Sequence, residues 1–398
     1  MTWSQARLDW LTSVSREVID PRMLGDEEVV HYSIPALDTL GGPAVEPASS
    51  IASTKLRVRG GEVLVSKLNP RKLRVVTVKE HERPSMASGE FISLIPKNID
   101  ARFLSYWLRS EKTRQDLHGA TQSVTRSHQR VTPDILTKKW LMVPSLAEQR
   151  AIADYLDTET ARIDTLIAKK KALSQGVNER FQRTVHRDVE ALVDQTGSTR
   201  LKRLAAISVG IVITPAAWYS DVGGVPALRG LNVRPRRLLV DDLISLSEDG
   251  HLANKKSELR AGDVVVVRTG QAGAAAVVPS SLDGCNCIDL LIVRRSPDLD
   301  PEFLSFVLNS EWVSKQIAEF SVGAIQSHFN VSALKELNFP LVPPPDQREV
   351  AARWRALEHD SDAVTERLDR QIALLDEHRR ALTTAAVTGE MEVPGVAA

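Results

Sequence analysis

The sequence is poor in cysteine. Cys285 and Cys287 are its two cysteines among 398 residues, and they lie one residue apart in DGCNCIDL. Two such thiols are too few and too close for a disulfide framework, and a zinc site would need a second pair of Cys or His ligands. We therefore predict buried thiols at a strand end, and we expect neither a metal nor a cofactor.

Long apolar runs are also missing. No stretch approaches the roughly 18 residues of a membrane-spanning helix, and the opening MTWSQARLDWLTSV lacks the basic start and apolar core of a signal peptide. Net charge gives no pointer to a nucleic-acid partner, because 51 basic residues balance 51 acidic ones. We expect a cytoplasmic globular protein with no membrane partner, on which any basic surface is local.

The chain is internally duplicated. Three segment pairs recur in the same order about 200 residues apart: GGEVLVSKL (60–68) with AGDVVVVRT (261–269), FLSYWLRSE (103–111) with FLSFVLNSE (303–311), and SLAEQRAIADYLD (145–157) with PPDQREVAARWRAL (344–357). The first pair has strand composition after a glycine, and the second carries apolar residues at helical spacing. Each half is therefore predicted to be a mixed module followed by one long helix.

The third pair predicts where both long helices begin. Ser145 and Glu148 have the spacing of a capping box, and the prolines at the second start suit a first helical turn. Gln149 and Gln347 are equivalent, 198 residues apart, so the duplication kept the helical register.

Apolar residues then recur at alternating steps of three and four, the pattern of a coiled-coil seam. The predicted seam consists of Leu156, Ile163, Leu166, Leu173 and Val177 in the first helix, and Val350, Trp354, Leu357, Val364, Leu368, Leu375 and Leu382 in the second. Polar residues, among them Lys170 and Gln371, interrupt it. About forty residues at 1.5 Å each would span roughly 60 Å, which favours a rigid spacer, although an ordinary helical hairpin would show the same stripe.

The predicted fold class is α/β, of the α+β kind. It has two duplicated mixed modules separated by two long antiparallel coiled-coil helices with pseudo-twofold symmetry. We place the first module at 1–146, the first helix at 147–195, the second module at 196–345, the second helix at 346–390 and a tail at 391–398. Such an object suits duplex DNA, which two-fold proteins contact at half-sites about 34 Å apart.

This arrangement resembles the specificity subunit of type I restriction-modification systems. The resemblance rests on EQRAIADYLD with its Pro-containing lead VPSLAEQ, on the second lead VPPPDQR, on ARIDTLIAK (161–169) and on RRALTTAAVTGEMEV (379–393). It covers essentially the whole chain.

The resemblance implies a non-catalytic DNA reader. Two target-recognition domains would each bind half of a split, asymmetric site, and the helix pair would set the gap. The implied partners are double-stranded DNA, two adenine methyltransferase subunits and a restriction/translocase subunit.

The residues themselves also indicate that the chain is not an enzyme. The sequence has no G-x-x-x-x-G-K-[S/T] phosphate loop, and NPRK at 69–72 is not the Asn-Pro-Pro-aromatic motif of adenine methyltransferases. His128 and His328 lack a nearby Cys or carboxylate pattern, so a structural or DNA-backbone role is favoured over catalysis.

Basic clusters in both modules are the candidate DNA contacts, because Lys and Arg bind phosphates while Arg, Asn and Gln also reach base edges. The first module contributes Lys67, Asn69, Arg71, Lys72, Arg74, Arg126, His128 and Arg130. The second contributes Arg229, Asn232, Arg234, Arg236, Arg237, Arg268, His328 and Asn330.

An alternative function uses the same architecture. A structural coiled-coil adaptor would recruit protein partners through the helix pair, and its modules would not read DNA. The basic loops would then be ordinary solvated surface.

Overall fold

The computed structural model describes residues 3–119, 130–212, 218–220, 223–321 and 329–396. The chain divides into two compact units, which we call unit 1 (1–171 and 370–398) and unit 2 (172–369). Both boundaries between the units fall inside a long helix, so each unit contains one module and one end of each long helix.

Unit 1 opens the chain with short strands and helices. Its strands are β1 (Ser4–Arg7), β2 (Thr12–Ser15), β3 (Val18–Ile19), β4 (Glu28–Tyr32), β5 (Ala44–Pro47), β6 (Lys55–Arg57), β7 (Val63–Ser66), β8 (Val75–Thr77), β9 (Ser85–Ala87), β10 (Phe91–Pro96) and β11 (Trp140–Val143). Its helices are α1 (Leu8–Leu11), α2 (Ile34–Leu40), α3 (Ala101–Arg109), α4 (Glu111–Gly119), α5 (Pro133–Thr137) and the first part of α6 (Leu146–Thr196).

A four-stranded sheet in the order β2-β10-β7-β8 lies at the centre of this module, with every neighbouring pair antiparallel. Strand β7 is buried on both faces. Val63 and Val65 join the apolar cluster that includes Phe103 of α3, whereas Leu64 joins a second cluster with Phe91. This two-sided burial explains why the strand begins with three consecutive apolar residues, Val63 to Val65, without polar alternation.

Unit 2 follows the same plan. Its strands are β12 (Ser198–Arg200), β13 (Ile207–Val209), β14 (Tyr219–Ser220), β15 (Val225–Leu228), β16 (Val233–Arg234), β17 (Arg237–Leu238), β18 (Ile244–Leu246), β19 (Val264–Val267), β20 (Ala275–Val277), β21 (Asn286–Cys287), β22 (Leu290–Val293) and β23 (Asn338–Pro340). Its helices are α7 (Glu248–Ala253), α8 (Pro301–Leu308), α9 (Glu311–Ser321), α10 (Val331–Glu336), the last part of α6 and the first part of α11 (Pro344–Thr388), whose last part lies in unit 1.

Two sheets of unit 2 repeat two sheets of unit 1. The order β13-β22-β19-β20 corresponds to β2-β10-β7-β8, and the pair β12-β23 corresponds to β1-β11. Strand β19 is again buried on both faces, with Val264 and Val266 in one cluster and Val265 and Val267 in another. The duplicated, mixed α+β fold predicted from the sequence is confirmed.

The long helices begin at the repeated motif. At the start of α6, the Ser145 N–H donates to Glu148 Oε2 at 2.8 Å and the Glu148 N–H donates to Ser145 Oγ at 3.3 Å, which is the predicted capping box. Helix α11 begins at Pro344, where a missing N–H costs nothing.

Within each unit the two helix segments run antiparallel. In unit 1, Lys170 Nζ donates to Gln371 Oε1 at 2.6 Å and Arg379 pairs with Asp164. In unit 2, Trp354 Nε1 donates to Asp188 Oδ2 at 3.0 Å. Lys170 and Gln371, two of the polar interruptions placed on the seam from the sequence, therefore meet each other.

The seam is buried only in part. Leu156, Ile163, Val350, Trp354 and Leu368 are buried, whereas Leu166, Leu173, Leu357 and Val364 are 40%, 55%, 40% and 44% exposed. Leu156 packs in the core of its module and Trp354 in the core of the other. Burial therefore follows packing against a module, because two helices alone cannot enclose every seam residue.

Buried glutamines join each long helix to its module. Gln149 is 1% exposed; its Oε1 accepts the N–H of Asp100 at 2.7 Å, and its Nε2 donates to the Pro144 carbonyl at 2.8 Å. Gln347 in unit 2 is equally buried and accepts the N–H of Asp300 at 2.8 Å. Asp100 and Asp300 cap α3 and α8, so the glutamine connects two of the repeated segments.

We predict that Gln149→Ala destabilises unit 1. The substitution leaves the Asp100 N–H and the Pro144 carbonyl without their buried partner, which costs about 1–3 kcal/mol. Urea unfolding measures the loss, and Gln115→Ala serves as the control because Gln115 makes an exposed bond to Glu111. Equal unfolding midpoints for the two variants would contradict the anchoring role.

Tyr106 of α3 makes a second contact with α6. Its hydroxyl donates to Asp157 Oδ1 at 2.6 Å, and Arg102 donates to the other oxygen of the same carboxylate at 2.8 Å. Burial and the hydrogen bond to Asp157 raise the pKa of Tyr106 from 10.0 to about 12. The neutral phenol is the form that the folded protein holds.

This raised pKa predicts a loss of stability at alkaline pH. The folded pKa exceeds the unfolded one, so the contribution is complete below about pH 10 and disappears as pH rises toward the folded pKa. Absorbance titration of tyrosinate should show an ionisation step near pH 12 that Tyr106→Phe removes. If the variant left the alkaline end of the titration curve unchanged, the assignment to Tyr106 would be wrong.

Candidate nucleic-acid interface

The first basic cluster lies on the hairpin loop between β7 and β8. Lys67 directly follows β7, and its Nζ donates to the Gly89 carbonyl at 2.6 Å. Asn69 has a left-handed backbone (φ 52°), which turns the chain into a short 3-10 turn over Pro70–Lys72. Lys72 is exposed at the end of that turn. The side chain of Arg71 lies outside the part of the chain that the structure describes.

Arg74, at the end of the same loop, is held by a carboxylate. Its Nε and Nη2 donate to the two oxygens of Asp38 at 2.7 Å each, and its side chain is 14% exposed. The guanidinium beside it lowers the pKa of Asp38 below its usual range. The geometry assigns Arg74 to the packing of this loop on α2 rather than to an open surface.

The junctions between modules and long helices are described only in part. Arg126 and His128, predicted in the first junction, and His328, in the second, lie outside the described residues. Arg130 is 60% exposed and pairs with Glu90 at 2.9 Å. It forms an isolated bridge with Leu68, which brings it to the same loop as Lys67.

Asn330 caps a helix in the second junction. Its Oδ1 accepts the Ala333 N–H at 2.9 Å at the start of α10. The residue is exposed, so its side chain lies at the surface while it caps.

In unit 2, Asn232 is a structural residue. It is 1% exposed, accepts the Arg229 N–H at 2.9 Å and donates to the carbonyls of Leu239 at 3.2 Å and Asp242 at 3.1 Å. Arg229 is partly buried and lies 3.7 Å from the Asp242 carboxylate. Asn232 therefore shapes the loop from inside and presents no group to a ligand.

The loop continues into a hairpin formed by β16 and β17. Arg234 is exposed and its Nη1 donates to the carbonyls of Leu231 and Val233 at 3.0 Å each. Arg237 is 70% exposed, with its Nη2 3.6 Å from Asp362. These two arginines lie at the surface of the hairpin.

The other two predicted arginines of unit 2 are committed to carboxylates. Arg268 pairs with Asp289, and its side chain is mostly buried. Arg236 pairs with Glu358 and is 12% exposed. From the sequence, an arginine in a loop could be exposed or paired with a carboxylate, because the partner carboxylate lies elsewhere in the chain.

Lys255 and Lys256 were missed from the sequence. They lie between α7 and β19 and, with Val212 and Asn254, border a groove of 590 Å³ in unit 2. Lys255 pairs with Glu258 at 2.9 Å. The sequence pattern that could have indicated them is ANKKS (253–257), which has two consecutive lysines in a polar loop.

The structure also bears on the two cysteines and on metal binding. Cys285 and Cys287 are buried and unbridged, and burial raises the pKa of Cys285 to about 12. Among the described residues, no group of His, Cys, Asp or Glu side chains is placed to hold a metal ion. Within the same residues, no helix is both long and apolar enough to cross a membrane.

Comparison with known proteins relates the chain to one family. A model of the type I restriction modification DNA specificity domain matches residues 55–175. The specificity subunit of the type I restriction enzyme EcoBI of Escherichia coli is 22% identical over 301 residues, which cover 69% of this chain and 63% of that subunit. The StySPI specificity subunit of Salmonella potsdam is 25% identical over 268 residues, 63% of this chain and 57% of its own length. The matches thus span less than two thirds of both relatives.

A solved structure shares the fold across the full chain. A chain from a structure described as the basis of complex assembly and conformational transition of the type I R-M system superposes with a TM-score of 0.72 over 98% of both chains, at 18% identity. The resemblance to type I specificity subunits that the helix motifs indicated is confirmed by these comparisons.

The burial of Asn232 generates a test. We expect Asn232→Ala to lower the unfolding free energy of unit 2 by about 1–3 kcal/mol, because it leaves one buried N–H and two carbonyls without their partner. Arg234→Ala, two residues away on the exposed hairpin, should change it by less than about 0.5 kcal/mol. Thermal unfolding of both variants makes the comparison, and equal melting temperatures would show that the hydrogen bonds of Asn232 do not stabilise unit 2.

Proposed function

We propose that this chain is the non-catalytic DNA sequence-specificity subunit of a type I restriction-modification complex. Each module reads one half of a split, asymmetric DNA site, and the antiparallel helix segments set the gap. The observation that carries the proposal is the duplication itself. Two equivalent sheets are each fixed to a long helix by an equivalent buried glutamine, Gln149 or Gln347.

The proposed DNA surface uses the exposed basic residues of the two loops. In unit 1 these are Lys72 and Arg130, with the half-buried Lys67 on the same loop; in unit 2 they are Arg234 and Arg237, with Lys256 at the edge of the neighbouring groove. Such side chains suit phosphate contacts, which position a protein on the duplex. Asn232, Arg236 and Arg74 are left out of this surface because their side chains are mostly buried and bonded inside the protein.

The partners follow from the same proposal. The DNA is double-stranded, two adenine methyltransferase subunits dock on the helix pair, and a restriction/translocase subunit joins the complex in the cytoplasm. The module and helix limits of 1–146, 147–195, 196–345 and 346–390 are proposed as the functional domains.

One observation favours the adaptor as a second candidate. In unit 2, a groove of 910 Å³ between α6 and α11 is lined by Val177, Phe181, Leu357 and Val364 together with arginines. Leu357 and Val364 are exposed in this groove, and exposed apolar side chains on a helix pair suit a protein partner. The adaptor and the DNA reader share this surface and differ in whether the modules read sequence.

Methylation mapping distinguishes the two functions. Long-read sequencing of the host genome, with and without this chain, should reveal a split methylated motif that is present only with the chain. The motif would supply both half-sites and the gap. An unchanged methylome in cells with an active methyltransferase would favour the adaptor.

A loop variant sharpens the experiment. Replacing Lys67, Lys72 and Arg130 by Gln should abolish the motif, because binding to DNA depends on neutralised phosphates. Lys112→Gln, which changes an exposed lysine of α4, is the matched control and should leave the motif intact.

A further inference from the structure

The turn of the β16–β17 hairpin has an unusual backbone. Arg236 has φ 57°, in the left-handed region that residues with a Cβ seldom occupy. Its N–H donates to the Ala275 carbonyl at 2.7 Å, which ties the turn to β20 of the central sheet. A non-glycine residue keeps this conformation only where its contacts outweigh the backbone strain.

That side chain reaches both long helices. The guanidinium carbon lies 5.1 Å from the ring centre of Phe181 in α6 and 4.9 Å from that of Phe306 in α8. Its Nε donates to Glu358 Oε1 of α11 at 2.8 Å, and Nη2 binds the same oxygen. One planar cation therefore joins the hairpin to three helices.

Only a guanidinium satisfies all these contacts together. Its carbon centre lies close to two aromatic rings while its edge donates two hydrogen bonds to one carboxylate oxygen, and an ammonium has no planar face. The pair is mostly buried, at 12% and 23% side-chain exposure, so solvent screens it weakly.

Unit 1 builds the equivalent place with different residues. The positions of Phe306, Glu358 and Phe181 are occupied there by Tyr106, Thr160 and Arg379. Tyr106 bonds to Asp157 and Thr160, and Arg379 bonds to Asp164. Among the described residues of unit 1, no arginine from a hairpin contacts these three positions. The contact of a hairpin arginine with both long helices therefore distinguishes the second module.

We propose that Arg236 is a positioning residue that fixes the second module's hairpin, with the exposed Arg234 and Arg237, against both long helices. On the proposed function, on which this inference rests, a fixed hairpin accepts one distance between half-sites. Without the clamp, the exposed Arg237–Asp362 pair still joins the hairpin to α11 but holds it less firmly. The hairpin can then shift, and the accepted distance broadens while the sequence of each half-site is kept.

The test compares methylomes in the native host after exchange of the chromosomal gene. Arg236→Gln should methylate the same two half-sites at gaps one base pair longer and shorter as well as at the original gap. Glu358→Gln, which keeps the stacking and removes the charge, should broaden the gap less. Arg236→Lys should resemble Arg236→Gln, because lysine lacks the planar face.

Arg294→Gln is the control for a merely structural defect. Arg294 pairs with Asp263 at 2.7 Å inside the same module and touches neither long helix through that pair. This variant should lower the extent of methylation and keep a single gap. If Arg236→Gln and Glu358→Gln also kept a single gap, the positioning role would be wrong. A wild-type methylome without any split motif would instead refute the proposed function.

If the variants lose methylation altogether, hydrogen exchange on the purified full chain still tests whether the hairpin is held in place. Peptides across 229–239 should exchange faster in Arg236→Gln and Glu358→Gln than in the wild type, while peptides across β19 remain protected. Unchanged exchange in the hairpin would overturn the proposal.

Discussion

Each unit depends on one buried glutamine whose amide is hydrogen-bonded on both sides. A buried amide must satisfy an acceptor and donors together, so neither Glu nor Leu could replace Gln149 or Gln347 without leaving a polar group unpaired. The side-chain oxygen of the glutamine accepts the N–H of the residue that caps a module helix. Its side-chain nitrogen donates to a backbone carbonyl just before the long helix. Module and spacer are thereby fixed at the point where the chain passes from one to the other.

Around this shared anchor, the two units diverge in chemistry. Unit 1 uses polar contacts, with the Tyr106 phenol on Asp157, whereas unit 2 packs Phe306 and Phe303 around Trp354. The backbone plan is the same in both. Duplication thus preserved the geometry of the junction while the side chains that fill it were free to change, as long as each cluster stayed packed and each polar atom paired.

The fold was predictable from the sequence because its determinants are local or repeated: the capping box at Ser145, the apolar run of β7 and the recurring helix start. For the candidate site, the sequence correctly indicated an exposed loop position for residues such as Lys72, whose contact with DNA stays a prediction. Arg236 and Arg74 also lie in basic loop sequences, yet they are buried because they pair with Glu358 and Asp38, which are 122 and 36 residues away. Partial exposure of the helix seam likewise depends on where the modules stop covering it. Pairings over such distances follow from the tertiary fold and not from spacing.

One pair of contacts bears on how such chains can evolve. Arg102 faces Asp154 and Asp157 in unit 1, and at the equivalent positions of unit 2 Glu302 faces Arg355, with the charges exchanged. Recombination between the repeated halves would place arginine opposite arginine, or glutamate opposite two aspartates. Each exposed pair is worth less than about 1 kcal/mol, so the barrier is low and two substitutions remove it. The exchanged charges therefore make each half prefer its own helix by only a small free energy, and substitution of these few exposed residues would let a module pack equally well on the other helix.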